Sequence, residues 1–231
     1  MATIERPKDI VIRGRLSFPK FTMPEALAFN RTSEHAKKDE DVRPHFFILL
    51  DEAQQNKLTK YIVDEFLPWC QAQEKAGEKR SALNAGQVKK LTKVIEAGEW
   101  DVDGVLGLIY PVHEKTAELA PEAESQLKVN GFKGQDLVRK AIVRDVSELR
   151  NQVDDIVLGE RGEILDINDT IHELYPGSVV TAQLNLYAFV AAGQPGISAS
   201  TSTIIFVRDD ERFGGGGGVD EDDVFMALDE D

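Results

Sequence analysis

Apolar and polar side chains alternate over twelve residues between Val179 and Val190. A strict period of two predicts a long β-strand with one face toward a core. The face expected in the core carries Val180, Ala182, Leu184, Leu186, Ala188 and Val190. The other face carries Thr181, Gln183, Asn185, Tyr187 and Phe189. It is rich in amides and aromatic rings, which is unusual for a face that meets only water.

Turn signals flank this strand. Tyr175–Ser178 places Pro and Gly in the order that a type II turn favours. Gly193–Gly196 is a second predicted turn, and it leads into Ser198–Arg208, which is rich in Ser, Thr and Ile. We therefore predict a hairpin between the two apolar segments.

Two strands are predicted nearer the N-terminus, at Asp9–Phe18 and at His45–Leu50. In the first, alternation places Arg13 and Arg15 on the solvent side. The opposite, core side is expected to carry Ile10, Ile12, Gly14, Leu16 and Phe18. The second strand is apolar enough to lie within a core.

Helical patterns follow these strands. Asp51 is expected to begin a helix that Pro68 interrupts near its end. The apolar residues that recur at helical spacing in it are Leu58, Tyr61, Ile62, Phe66 and Trp69. Asn84 and Gln87 form a capping-box pattern ahead of a second helix that ends at Gly98. The two helices are expected to form a hairpin.

The middle of the chain carries weaker signals. Val105–Tyr110 and Lys128–Lys133 are predicted strand pieces, with a turn at Asn130-Gly131. Residues 136–165 have helical character without clear boundaries. Turns or a helical insertion, about residues 51–98, separate the strands. We therefore expect a mainly β fold with inserted helices (α+β), built as a small, mostly antiparallel barrel.

The chain ends in five consecutive glycines and a short acidic peptide that lacks Lys and Arg. We expect residues 213–231 to be a disordered linker and tail, and residues 1–212 to be the folded domain. The tail also holds apolar residues, Phe225 and Leu228 among them, as expected of a peptide that binds a basic, partly apolar groove. The alternative is a disordered terminus without function.

Net charge alone excludes few function classes. The chain carries -14, but without the seven tail acids 34 acids face 27 bases, which leaves -7. The first 45 residues hold nine bases against seven acids, so a local basic groove is compatible with the acidic whole. One cysteine, Cys70, fits a reducing compartment. The sequence contains neither a membrane-span pattern nor a signal-peptide pattern, and a cytosolic protein is expected.

Enzyme signatures are mostly missing. The glycine run lacks the Gly-Lys-Ser/Thr ending of a phosphate-binding loop, and the four histidines are scattered. We expect no catalysis, cofactor or metal site. A carboxylate cluster of a metal-dependent nuclease stays as a minor alternative.

Aromatic and basic side chains on strand faces suit single-stranded nucleic acid, because bases stack on rings and phosphates attract cations. Two alternatives stay open, since Phe21 could instead cover a barrel end and Phe189 could belong to the core. The candidate site residues are Arg13, Arg15, Lys20, Phe21, Gln183, Asn185, Tyr187 and Phe189.

The order of several segments resembles the single-stranded DNA-binding proteins of tailed bacteriophages, and is similar to that of the T7-like phages. The matching segments are Arg15–Phe21 with Pro24, His45–Leu50, Tyr175–Ser178, Leu186–Phe189, Gly193–Ile197, and Asp210–Gly216 followed by the acids. The resemblance implies an oligonucleotide-binding (OB) barrel that binds single-stranded DNA without catalysis, in phage replication, recombination and repair. It places the protein in the cytoplasm of the infected bacterial host.

The resemblance also implies a role for the tail. The tail would compete with DNA for the groove and recruit phage or host replication proteins, such as the polymerase or the helicase/primase. Self-association is left open, and no membrane partner is expected. In the T7-like proteins an aromatic residue closes the tail, whereas here Asp231 does and Phe225 is the nearest aromatic residue. The residues concerned are Asp220, Glu221, Asp222, Asp223, Phe225, Leu228, Asp229, Glu230 and Asp231. The alternative function is a protein–protein adaptor on an OB-like barrel, in which Tyr187 and Phe189 face a protein.

Overall fold

A computed structural model describes residues 5–32, 36–99, 107–131, 140–143, 163–166, 174–201 and 203–213. Its strands are β1 (Ile10–Lys20), β2 (His45–Leu50), β3 (Ile109–Tyr110), β4 (Ser125–Asn130), β5 (Lys140–Val143), β6 (Glu163–Asp166), β7 (Val179–Ala191), β8 (Gln194–Ser200) and β9 (Thr203–Arg208). Its helices are α1 (Met23–Thr32), α2 (Glu52–Tyr61), α3 (Leu67–Lys75), α4 (Ala85–Glu96) and α5 (Glu114–Leu119), with a 3₁₀ turn at Asp39–Asp41 and a π turn at Ile62–Phe66. The prediction of a sheet-dominated α+β fold is confirmed.

Five of the strands pair in a closed ring. β1 pairs antiparallel with β2, and β2 with β4. β4 meets β8 in parallel, and β8 then pairs antiparallel with β7. β7 returns to β1, again antiparallel, with Ile12 opposite Ala182. β3 adds to β4, and β9, β5 and β6 extend the sheet beyond β7. The pairing is therefore mostly antiparallel, with two parallel contacts, β4–β8 and β5–β9.

The interior of the ring is apolar. Ile12, Ile48, Leu127 and Leu184 are fully buried, one from each of four ring strands. Burying such a side chain stabilises the fold by about 1.5 to 3 kcal/mol. Residues of the α2–α4 segment that join the same core are Leu58, Ile62, Phe66, Leu67, Leu91 and Ile95. These helices therefore pack against the ring of strands and extend its core.

The helices form as their caps predict. The Asp51 side chain accepts from the Gln54 amide at 2.8 Å, and Asn84 and Gln87 form a reciprocal capping box. The helix does not stop at Pro68. The π turn directly before it widens the helix, so the proline ring and its missing N–H are accommodated and α3 continues.

Strand β1 carries a bulge that overturns one prediction. Its register against β2 shifts between Ser17 and Lys20, and Phe18 adopts a positive φ of 45°. Leu16 and Ser17 are both buried, so alternation breaks here and the following side chain is turned outward. Phe18 was expected on the core side and is instead 41% exposed. Val190, also expected in the core, is exposed at the far end of β7.

Other boundaries also differ from the sequence prediction. Residues 140–143 and 163–166 are strands rather than helix, since each pairs in the sheet. β4 ends at Asn130, and the rest of the predicted strand piece, residues 132–133, lies outside the described residues. The β7–β8 turn lies at Ala192-Gly193, where both residues have positive φ, as a two-residue hairpin turn requires. The predicted hairpin itself is confirmed, with Ser198–Arg208 divided between β8 and β9.

The turn at Tyr175–Ser178 is confirmed by the Ser178 N–H, which donates to the Tyr175 carbonyl at 3.1 Å. Gly177 at φ 109° allows the chain segment at Glu211 to pass so closely that a Cβ would collide with its carbonyl oxygen. The acidic tail, Asp220–Asp231, lies outside the described residues. None of the described helices is long and apolar enough to cross a membrane.

Candidate nucleic-acid interface

A groove of about 1000 Å³ lies on the outer face of the ring of strands. α1 and the 37–43 segment form one wall, and β2, β4, β8 and β7 form the floor and the other wall. We call it the aromatic groove, after the rings that line it. Its lining residues are Ala26, Phe29, Asn30, Lys37, Lys38, Asp41, Val42, Arg43, His45, Gly107, Lys128, Asn130, Tyr187, Phe189 and Ser198.

A row of rings runs along this face, each meeting the next edge to face. The ring centroids of Phe29 and His45 are 5.9 Å apart, and those of His45 and Phe47 are 6.0 Å apart. From Phe47 the row continues to Phe18 at 6.4 Å and to Tyr110 at 6.0 Å. Such contacts stabilise ring pairs by about 0.5 to 1.5 kcal/mol beyond their buried area. The row therefore holds its rings in fixed positions.

Local structure explains how these rings come together. His45 and Phe47 are alternate residues of β2 and so share its outer face. The bulge in β1 turns Phe18 onto the same face, and α1 presents Phe29, which is 42% exposed. A left-handed conformation at a phenylalanine costs on the order of 1 to 3 kcal/mol and is typical of functional sites. The exposed rings of Phe18 and Phe29 leave apolar faces free for a ligand.

Phe189 forms the opposite rim of the groove. It lies opposite Gly196 in the β7–β8 ladder, and its ring occupies the space that a side chain at Gly196 would need. Gly107, with φ 54°, approaches the same ring, so the chain can pass close beside it. Phe189 is 39% exposed. The alternative of a core position for Phe189 is thus excluded, and its ring stands fixed and accessible.

Two lysines lie over the rings. The Lys20 Nζ is 5.7 Å from the Phe29 centroid, and the Lys128 Nζ is 5.6 Å and 5.8 Å from the centroids of Phe47 and Tyr110. Burial, with Lys37 close by, lowers the pKa of Lys128 below its usual value. Since nearby positive charge disfavours further protonation, an anion arriving here would raise that pKa again.

His45 is held neutral in the middle of the row. Its Nδ1 lies 3.2 Å from the Arg43 carbonyl oxygen, which can only accept, so Nδ1 carries the proton. Burial lowers the pKa of His45 to about 4, and Lys128 adds to the effect. The ring is therefore an uncharged platform at neutral pH.

The structure brings some of the predicted site residues to the groove. Lys20, Tyr187 and Phe189 lie at it. The side-chain amides of Gln183 and Asn185, farther along the same face of β7, donate to the Asp9 carboxylate at 3.5 and 3.2 Å. The DNA-contact role of these residues stays a prediction.

Arg13 and Arg15 do not share one environment, as alternation had suggested. Arg13 is exposed, whereas only 12% of the Arg15 side chain is exposed. The Arg15 guanidinium donates to the carbonyls of Leu119, Gly177 and Glu211 at 3.0, 3.3 and 2.7 Å. It also lies 3.9 Å from the Asp210 carboxylate. This arginine therefore ties three chain segments together instead of projecting into solvent.

Phe21 is 1% exposed and packs against Phe46, with centroids 5.4 Å apart. It belongs to the apolar core and offers no free face for stacking.

Several residues of the groove lining and of the adjoining row of aromatic rings were not among the predicted site residues, namely Phe29, His45, Lys128, Phe18 and Phe47. The sequence of β2 is His-Phe-Phe-Ile-Leu-Leu. Both faces of this strand are apolar, so the sequence does not indicate which aromatic side chains face outward. The pairing of Phe47 with Lys128 depends on the β2–β4 register, which links positions 81 residues apart. No metal-binding cluster of three or more His, Cys, Asp or Glu occurs within the described ranges.

Residues 140–231 match the family model described as "Enterobacter phage Enc34, ssDNA-binding protein". This portion of the chain resembles a phage single-stranded DNA-binding protein. The resemblance predicted from the sequence is thereby confirmed. None of the curated proteins matches the chain.

Solved structures of such proteins overlay on 88–93% of this chain at low identity. The single-stranded DNA-binding protein from bacteriophage Enc34 is 12% identical, with 93% of this chain and 87% of that chain covered and a TM-score of 0.46. The structure of that protein in complex with ssDNA is also 12% identical, with 88% of this chain and 87% of that chain covered and a TM-score of 0.46. gp2.5, the single-stranded DNA-binding protein encoded by bacteriophage T7, is 10% identical, with 91% of this chain and 98% of that chain covered and a TM-score of 0.37.

Proposed function

We propose that the aromatic groove binds single-stranded DNA of any sequence and protects it, without catalysis. The observation that carries this proposal is the row of edge-packed rings, in which Phe18 and Phe29 are exposed. Lys20 lies over Phe29 in this row, and Lys128 lies over Phe47. Every base has a face that can stack on a ring, and stacking contributes about 1 to 3 kcal/mol per base. The family model that residues 140–231 match, described as an ssDNA-binding protein, supports the same ligand class.

The strand ring supports an OB barrel as the scaffold. Its order, β1-β2-β4-β8-β7 and back to β1, with a single parallel contact between β4 and β8, is that of a five-stranded Greek-key barrel. In such barrels the outer faces of the early strands bind oligonucleotides. The aromatic groove lies on that outer face, around β2 and β4.

Phosphate contacts would come from the basic residues around the groove. Lys37, Lys38 and Arg43 line it, and Lys20 and Lys128 lie over its rings. Each neutralised phosphate of a single strand contributes about -0.7 to the slope of log K against log salt. Three to five contacts would give a slope of roughly -2 to -4.

The acidic tail is proposed to compete with DNA for this groove. The chain reaches the tail at Phe213, which packs against Leu49 on the outer face of β2. Leu49 lies two residues, about 7 Å, from Phe47. Five flexible glycines span about 12 Å on average, so the tail begins within reach of its own groove and acts there at high effective concentration.

The wider role proposed is in phage DNA replication, recombination and repair, in the cytoplasm of an infected bacterium. DNA that fills the groove would release residues 213–231 to bind phage or host replication proteins. In this organisation residues 1–212 form the DNA-binding domain, and about residues 51–98 form its helical insertion.

Fluorescence anisotropy of a labelled oligo-dT tests the proposal. The full chain is titrated over a series of salt concentrations with EDTA present, and salt-sensitive binding with the slope given above is expected. A variant with Phe29→Ala and Lys128→Met should bind at least tenfold more weakly. Absence of binding at the lowest salt would overturn the proposal and favour the adaptor alternative. Metal-dependent loss of the oligonucleotide would favour a nuclease.

A further inference from the structure

The floor of the aromatic groove holds two hydrogen-bond acceptors side by side. His45 and Asn130 are directly opposite each other in the β2–β4 pairing, and both line the groove. Opposed residues of an antiparallel pair have Cβ atoms about 4.5 to 5.5 Å apart. A single nucleobase could meet both side chains at once.

The hydrogen bonds of the fold fix which atoms are left. His45 Nδ1–H donates to the Arg43 carbonyl, so Nε2 is a bare acceptor. The Asn130 Nδ2 donates one of its two N–H groups to the Ser198 hydroxyl at 3.2 Å, so Asn130 keeps Oδ1 as an acceptor beside one further N–H. Neither Nε2 nor Oδ1 has a partner among the described residues, and neither belongs to the buried unpaired atoms. Both are therefore open to a ligand.

Stacking rings surround these acceptors. Phe29 and Phe47 flank His45 at 5.9 and 6.0 Å, and Phe189 stands on the opposite rim. A base stacked here would present its edge to the groove floor. Cytosine and adenine carry an exocyclic amino group that donates, whereas thymine has a carbonyl oxygen at the corresponding position.

We infer that His45 and Asn130 read the amino group of one stacked base and give the groove a preference for cytosine and adenine over thymine. This inference rests on the proposed function, and it adds a modest preference to binding that still accepts every sequence. A hydrogen bond between neutral groups corresponds to a preference of about three- to tenfold. A thymine carbonyl facing His45 Nε2 would leave that acceptor unpaired.

Competition between dC and dT dodecamers tests the inference with the full chain. Both are pyrimidine strands that stack weakly on themselves, so the comparison reports on the protein. At pH 7.5 the wild-type protein should bind dC12 about three- to tenfold more tightly than dT12. The His45→Phe variant keeps a ring in the row but removes the acceptor, so the ratio of its dT12 and dC12 dissociation constants should fall to about one.

Phe29→Ala serves as the matched control, because it removes a stacking ring and no acceptor. It should weaken dC12 and dT12 by the same factor. Equal wild-type affinity for the two strands would overturn the inference and leave the proposed function intact, as would a dC12 preference that survives in His45→Phe combined with Asn130→Ala. Binding of neither strand would overturn the proposed function itself.

Discussion

The guanidinium of Arg15 lies 4.3 Å from the ring centroid of Phe213, the last residue before the glycine linker. The same guanidinium bonds to three backbone carbonyls from separate parts of the chain. The phenyl ring in turn packs against Leu49 and Ala120. Arg15 thus holds the last described segment, residues 209–213, against the ring of strands.

Replacing Arg15 should therefore reduce stability more than DNA affinity. Arg15→Met leaves three carbonyls without their charged donor, and the free energy of unfolding should fall by about 2 to 4 kcal/mol. Urea denaturation followed by tryptophan fluorescence measures it. Arg13→Met, at an exposed position two residues away, is the control and should change stability by less than about 0.5 kcal/mol. Equal effects of the two changes would contradict the anchoring role.

Gly177→Ala tests the close approach of the 209–213 segment. Its Cβ would collide with the Glu211 carbonyl, so the substitution should destabilise the protein by more than about 2 kcal/mol. Gly77→Ala is the control, since Gly77 also has a positive φ, of 78°, but nothing lies near its Cβ position. That change should cost only about 1 kcal/mol. Thermal denaturation of the two variants isolates the cost of the collision.

The exposed rings should contribute to DNA affinity and little to folding. Phe29→Ala and Phe189→Ala each remove one stacking ring and should weaken oligo-dT binding by about 5- to 150-fold. Anisotropy titrations measure the loss. Val190→Ala is the control, because Val190 is next to Phe189, 46% exposed and outside the groove lining. An equal loss of affinity in the valine variant would argue against stacking.

Stability should fall in mild acid because of His45. Its pKa is about 4 in the fold and 6.5 in an unfolded chain, so between these values the unfolded state binds the proton. The stabilising contribution of His45 to the free energy of unfolding is therefore fully present above pH 6.5. It decreases toward pH 4, by on the order of 2 to 3 kcal/mol.

His45→Phe isolates that contribution. Urea denaturation of wild type and variant at several pH values cancels the titration of the carboxylates, which both proteins share. The stability of the wild type relative to the variant should decline from pH 6.5 to 4.5. A constant difference would show that His45 is not held neutral in the fold.

Removal of residues 214–231 should strengthen DNA binding, most visibly at low salt. The tail carries seven acids, so its competition weakens as salt screens them. Anisotropy of the full chain and of residues 1–213 across a salt series measures the effect. A full-length variant with the seven tail acids changed to Asn or Gln is the control, and it should resemble the truncated chain. Unchanged affinity at low salt would contradict tail competition.

Local sequence signals predicted local structure well. The alternation in β7, the caps at Asp51 and Asn84 and the Tyr175–Ser178 turn all depend on neighbours within a few residues. The β1 bulge depends instead on pairing with β2, and it reverses the predicted position of Phe18. The alternation pattern assigns each residue to a face by its position in the sequence, so it cannot predict the extra residue of a β-bulge.

The groove was predicted only in part for a related reason. Lys20, Tyr187 and Phe189 were found from strand faces, but the row of rings assembles from α1, β1, β2 and β3, which are distant in sequence. Arg15 was predicted as a DNA contact because an arginine on a strand face suits a phosphate. Only the tertiary structure shows that its guanidinium donates to three backbone carbonyls.

The fixed position of Phe213 gives the proposed tail competition a direction. Phe213 is held beside Leu49, at one end of the series of outer residues His45, Phe47 and Leu49 on β2. A tail lying in the groove would have its stem at that end and its tip toward Phe29. An incoming DNA strand would meet the free tip first and peel the tail away progressively toward its stem, as an invading strand displaces another from a toehold. The groove would then be cleared in small steps, without the whole tail having to leave before DNA could enter.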